Sequence, residues 1–131
     1  MKWHEIYPQI LKEETKIMKA QTNASLENKQ GNLVWYEAIV NNYETEFDIA
    51  IVYQPNHPFD PPKAYILKPE VPHSTTYHTH ADGSLCLYEP STVYGMKISA
   101  LMIRNWACMW ATAYENFLNT GEWDYKLFEN T

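Results

Sequence analysis

Six of the eight prolines lie between Pro55 and Pro72, and they constrain the fold more than any other feature of the 131 residues. Proline fixes its own φ, removes a backbone donor and pushes the residue before it toward extended conformations. A long helix is therefore excluded across this stretch. What fits is one short strand, Lys63 to Lys68, with the apolar centre Ala64-Tyr65-Ile66-Leu67 and stiff chain on both sides that fixes its position.

The flanking segments read by their periodicity. Residues 1 to 20 carry Trp3, Ile6, Ile10, Leu11, Ile17 and Met18 among Lys and Glu, which predicts an amphipathic helix with Pro8 in a first turn. Gln21 to Asn32 is polar, ends in Gln30-Gly31-Asn32, and reads as a loop with room for one short irregular strand. Leu33 to Val40 is a strand of branched and aromatic residues. Glu46 to Tyr53 alternates, with Phe47, Ile49, Ile51 and Tyr53 on one face, and Asn41 to Thr45 closes the hairpin between them. With Lys63 to Lys68 these strands predict an antiparallel meander. Ile98 to Leu118 is apolar around most of its circumference, so it reads as a central helix, with Trp106 and Trp110 in the core and Gly121 at its end. The tail Glu122 to Thr131 has length for a turn or two only. The fold class is α+β, two layers, with the sheet on the long helix and one domain over residues 1 to 131.

Composition narrows the function. Net charge is -6 and Arg104 is the single arginine, so no basic stripe exists to displace counterions from nucleic acid. Two cysteines do not make a disulfide framework, which points to a reducing compartment and a cytoplasmic location. No secretion signal is expected, and no apolar run approaches the roughly 20 residues that cross a bilayer.

Cys86 sits in the run His78-Thr79-His80-Ala81-Asp82-Gly83-Ser84-Leu85-Cys86-Leu87-Tyr88. Asp82-Gly83 marks a turn and Leu85-Cys86-Leu87 is a short apolar segment, so the sulfur belongs where a loop meets packed structure. A thiolate attacks carbonyls, and nearby imidazoles can activate it. Taken alone, a free cysteine also serves as a small apolar filler, which is the role expected of Cys108 between Ala107 and Met109. His73, His78, His80 and Cys86 are ligand types that zinc prefers. However, structural zinc sites pair ligands about two to four residues apart at both ends, and one cysteine is within reach, so no metal is expected. Asp82, Ser84, Tyr88 and Glu89 flank the cysteine and are weaker candidates for steering a substrate; a solvated loop would carry such residues anyway.

The order of elements, with His57-Pro58-Phe59-Asp60-Pro61-Pro62-Lys63 ahead of the cysteine loop, resembles the ubiquitin-conjugating enzyme (UBC) fold over roughly residues 3 to 118. That family's aromatic-Pro-Phe-x-Pro-Pro-Lys signature is matched with His57 in first place. Gly83-Ser84-Leu85-Cys86-Leu87 stands where the family has Gly-x-Ile-Cys-Leu with its catalytic cysteine. The His-Pro-Asn triplet is replaced by His78-Thr79-His80, Tyr88-Glu89-Pro90 departs from the eukaryotic sequence, and the eukaryotic C-terminal helix pair has no counterpart. The chain is similar to the divergent bacterial branch that includes proteins of CBASS antiphage operons, encoded beside a cyclic-oligonucleotide synthase.

The resemblance implies a transferase. Cys86 would carry a protein's C-terminal acyl group as a thioester and pass it to an amine, in regulation of the synthase. His78 falls about where the family's asparagine supports the loop and the oxyanion. His78 and His80 are thus expected at the catalytic site, either donating to that oxygen or accepting the amine's proton. The implied partners are a protein with a free C-terminus, either the synthase or a ubiquitin-like protein, and an activating enzyme for any adenylation; no cofactor is needed at this step. Two rivals use the same fold. One is a non-catalytic binding module, whose relatives lack the cysteine, and the other is a thiol hydrolase, because water competes with the amine.

Overall fold

In the computed structural model, which describes residues 1–125, the alternation of Glu46 to Tyr53 places Phe47, Ile49, Ile51 and Tyr53 in the core. The elements are α1 (Trp3–Ile6), α2 (Pro8–Gln21), β1 (Ser25–Lys29), β2 (Asn32–Val40), β3 (Glu46–Val52), β4 (Lys63–Lys68), a 3-10 turn (Thr75–Tyr77), α3 (Pro90–Val93) and α4 (Ala100–Thr120). The architecture is the α+β, UBC-like arrangement: a four-stranded antiparallel sheet in the order β1-β2-β3-β4, with α4 packed on β3 and β4 and against α2. Trp35, Ile51 and Ala64 are cross-strand neighbours on the face that meets the helices, and all three are buried.

The sheet has four strands where the sequence led us to expect three. The polar segment read as a loop with room for one short irregular strand contributes β1, joined to β2 through Gln30 and Gly31, both at positive φ (58° and 88°). That backbone matches the twist of a two-residue hairpin. β1 is an edge strand with Leu26 as its half-buried residue, and such polar edges carry little apolar signal. The N-terminal helix is also divided. Pro8 opens α2 because its missing donor costs nothing at that position, and α1 forms a separate turn ahead of it.

α4 begins and ends two residues later than the expected Ile98 to Leu118. Ser99 caps it by accepting a hydrogen bond from Met102 N–H (3.2 Å), and Gly121 ends it at a positive φ of 79°. The β2–β3 turn is tied to this helix by Asn41, whose Nδ2 donates to Ala111 C=O (3.1 Å) and to Glu115 Oε1 (3.0 Å). Arg104, the single arginine, reaches from α4 to Glu37 on the buried face of β2 with two hydrogen bonds (2.8 and 3.1 Å). The tail expected to form a turn or two is described only as far as Tyr125, and the rest lies outside the described residues. Among the described residues no helix is long and apolar enough to cross a membrane.

One carboxylate joins four parts of the chain. Glu14 on α2 accepts from Tyr53 Oη (3.0 Å), from Ala100 N–H at the start of α4 (2.8 Å) and from His57 Nε2 (2.6 Å). Tyr53 Oη in turn accepts from Trp35 Nε1 (3.0 Å). His57, the residue in first place of the proline-rich signature, is buried with Trp3 and Tyr53 edge-on to its ring. Removing the acceptor leaves buried donors without partners, a larger cost than one hydrogen bond. Glu14→Ala should lower unfolding free energy by on the order of 3 kcal/mol, whereas exposed Glu13→Ala should change it by less than about 0.5 kcal/mol. Paired urea denaturation curves check this; equal midpoints would remove the central role of Glu14.

Candidate active site

The cysteine loop is a small hairpin laid on the free edge of β4. Leu85 N–H donates to Ala64 C=O (2.9 Å), and Thr79 pairs with Leu85 in an antiparallel bridge. His80 N–H donates to Ser84 C=O (2.8 Å), and Cys86 N–H donates to His78 C=O (2.8 Å). Thr79 and Leu85 point inward and are buried. Strand alternation therefore turns His78, His80 and Cys86 toward the other face, which is why residues six to eight apart in sequence share one site.

The turn is braced by residues the sequence offered as substrate-steering candidates. Asp82 Oδ1 accepts from Ser84 N–H (2.9 Å) and Ser84 Oγ (2.6 Å), and Asp82 Oδ2 accepts from Lys63 Nζ (2.8 Å). The bond from Lys63, then those from Ser84, hold this carboxyl well below the usual range. Gly83 lies at a φ of 90°, and a Cβ there would stand 3.0 Å from the His73 ring, so glycine meets both a backbone and a space requirement. Asp82 and Ser84 are thus accounted for by the turn itself.

The two histidines have different surroundings. His80 is exposed, and its Nδ1 lies 3.4 Å from Cys86 Sγ. His78 adopts a left-handed backbone (φ 54°), and its carbonyl accepts from Trp110 Nε1 (3.3 Å) as well as from Cys86 N–H. Its ring lies against Trp123 (4.2 Å between centroids), with Tyr125 Oη 3.5 Å from Nε2. Burial holds the His78 imidazole below its ordinary pKa, so it is neutral at pH 7. His73, His78, His80 and Cys86 do not gather as a ligand set; among the described residues no three His, Cys, Asp or Glu side chains could hold a metal ion.

Cys86 is half-buried at the side of an open groove of about 600 Å³, whose walls include Tyr88, Glu89, Met96, Trp106, Trp123 and Tyr125. Sequence reasoning offered Tyr88 and Glu89 as candidates and missed the walls supplied by Met96, Trp123 and Tyr125. An apolar tryptophan just past a helix-ending glycine was the available signal for Trp123, which is 9% exposed. Cys108 lies half-buried on α4 and does not line this groove.

The UBC-like arrangement of sheet and helices agrees with the comparison to protein families. The profile of the type II CBASS E2 proteins matches residues 13–129. The chain belongs to the type II CBASS E2 family. Membership places it in CBASS antiphage defence and, within that system, among proteins that act together with other CBASS components. Comparison with curated proteins and with solved structures found no match.

In this CBASS E2 the resting sulfur is a thiol. Burial, then the negative charges of Glu89 and Asp82, push the Cys86 pKa above its ordinary value. With the S–H as donor, His80 Nδ1 is the acceptor, an arrangement that requires the Nε2–H tautomer. Because thiolate is the minor species below the raised pKa, alkylation by iodoacetamide should climb about tenfold per pH unit from 7 to 9 in a Cys108→Ala background. Glu89→Gln removes a charge that opposes thiolate formation and should raise the rate at pH 8 about twofold. A rate plateau between pH 5 and 8 would instead mean a preformed thiolate–imidazolium pair.

Proposed function

We propose that this protein is a thioester-carrying transferase, in which Cys86 Sγ accepts the C-terminal acyl group of a partner protein and passes it to an amine. The observation that carries the reading is a reachable sulfur, half-exposed beside a groove, with an imidazole nitrogen 3.4 Å away.

In loading, Sγ attacks the activated C-terminal carbonyl carbon, the S–H proton moves to His80 Nδ1, the leaving group departs with the bonding electrons, and the imidazolium then releases its proton to water, which leaves the ring free as a base. In discharge, a neutral amine attacks the thioester carbon and His80 Nδ1 takes the proton from nitrogen. The C–S bond then breaks, and the imidazolium returns its proton to the departing sulfur. A thiol with a raised pKa needs such a base, because it supplies little thiolate unaided. Holding acyl group and base on one rigid hairpin converts the step into a near-unimolecular one. His78 acts as a positioning residue: its carbonyl holds Cys86 N–H and its ring braces the groove wall. Any adenylation of the acyl group belongs to a separate enzyme. Within CBASS, the cyclic-oligonucleotide synthase is the proposed partner, as acyl donor or as target, with a ubiquitin-like protein as the other candidate donor.

Incubation with an activated partner should yield a thiol-reducible adduct with wild type, a reduction-resistant ester with Cys86→Ser and no adduct with Cys86→Ala. No adduct with wild type would remove the transferase reading. Release of the partner as a free acid, with no amine product, would make the protein a hydrolase. His80→Ala should slow discharge of the preloaded thioester to a free amine about 100-fold, the scale of one general base. His78→Ala should slow it less than tenfold. Wild-type discharge by His80→Ala would make that ring scaffolding.

A further inference from the structure

We infer that the groove beside Cys86 selects acyl tails bearing a bulky apolar side chain next to the acyl-terminal residue and no acidic group there, and that Trp123 and Tyr125 set this choice. The inference rests on the thioester reading of Cys86 and deepens it by naming the class of tail.

The groove is larger and more aromatic than a bare backbone needs. Its volume of about 600 Å³ falls within the usual range for specific organic ligands, roughly 300–1,000 Å³, while an extended glycine-only tail would leave its far wall untouched. Trp106 and Met102 come from α4, Met96 from the segment after α3, and Trp123 and Tyr125 from the segment after Gly121. An aromatic side chain presents about 150–250 Å² to such a surface, and methionines adapt to its shape. Met96 is 49% exposed and Tyr125 is 60% exposed, so both offer apolar area that the described residues leave uncovered.

The wall is built to hold its position. Trp123 is 9% exposed and packs on Trp110 and Phe117 of α4, with ring centroids 6.0 Å from each, and on the His78 ring at 4.2 Å. Tyr125 adds its ring at 5.4 Å from His78. The segment is thereby fixed to the residue whose carbonyl holds the cysteine, so wall and sulfur keep one spacing.

Charge narrows the occupant further. Glu89 is the one charged side chain among the described lining residues, His78 is neutral, and Asp82 adds to the negative field felt at Sγ. The chain as a whole carries a net charge of -6. A carboxylate beside the acyl group would be repelled here, whereas an apolar side chain would be desolvated against aromatic walls and a basic residue would meet Glu89. The occupant is therefore the apolar or apolar-and-basic C-terminal peptide of a partner protein.

Short peptide thioesters test this without any activating enzyme. Peptides Ala-Lys-Ala-X-Gly, carried as 2-mercaptoethanesulfonate thioesters with X as Phe, Gly or Asp, are incubated with the Cys108→Ala protein, and acylation is followed by intact mass. Sγ forms its bond to the carbonyl carbon, the bond to mercaptoethanesulfonate breaks, and the thiol proton passes by way of His80 to the departing sulfur. The Phe peptide should load about tenfold faster than the Gly peptide, and the Asp peptide slowest, with its deficit shrinking in salt. Tyr125→Ala, at an exposed position, and Trp123→Leu, with folding checked by its thermal transition, should each bring the Phe-to-Gly ratio close to one. Equal rates for all three peptides on wild type, or an unchanged ratio in Tyr125→Ala, would overturn the selectivity while leaving the thioester reading standing. No loading by any peptide, with iodoacetamide still modifying Cys86, would overturn both.

Discussion

The carboxylate of Glu14 is the point at which the parts of this chain are held to one another. A sheet and a helix can pack in several registers through apolar contacts alone, because the hydrophobic effect has no direction. Glu14 removes that freedom: it accepts from the first amide of α4, from Tyr53 at the end of β3 and from His57 in the proline-rich loop, all while sitting on α2. A carboxylate at the start of a helix also favours the partial positive charge there. Burial and the neighbouring Glu14 charge hold the Tyr53 phenol far above its usual range, so it remains a donor throughout the working pH span.

Placement of the cysteine follows from this frame. With α4 held against β3 and β4, Trp110 reaches the carbonyls of Tyr77 and His78 (3.2 and 3.3 Å), and the hairpin from Thr79 to Leu85 is pinned between α4 and the edge of β4. The side chains aimed at substrate are then few. Thr79, Asp82 and Ser84 are occupied with the loop's own hydrogen bonds, which leaves Cys86, His80 and the aromatic groove facing outward. Such a division is expected where a reactive group must be exposed yet held to a fraction of an ångström.

Much of the fold was legible because strong periodicity survives in segments buried on one side. β2, β3, β4 and α4 lie where alternation, branched residues, an apolar circumference and Gly121 place them, to within one or two residues at their ends. β1 was legible only as room for one short strand, since Ser25-Leu26-Glu27-Asn28-Lys29 is an edge strand and carries its information in backbone pairing with β2 rather than in side-chain pattern. For the site, the run from His78 to Cys86 could be singled out by composition, but composition treats its two histidines alike. Only the pairing of Thr79 with Leu85 separates them, setting His80 beside the sulfur and His78 against Trp123.

By itself the sequence determined the α+β class, the short strand confined between prolines, the long apolar helix and the candidate nucleophile, because each depends on local backbone chemistry, on a short motif or on a repeat of two or about 3.6 residues. The tertiary structure alone decided that Glu14, which looks like one more charged residue on an amphipathic helix, is the shared acceptor of the core, and that Arg104 closes on Glu37 across 67 positions of chain. It alone decided that residues after Gly121 return to form a wall beside Cys86. The reason in each case is that hydrogen bonds, ion pairs and ring contacts between distant segments depend on where the folded chain brings their ends together, and no local pattern encodes that distance.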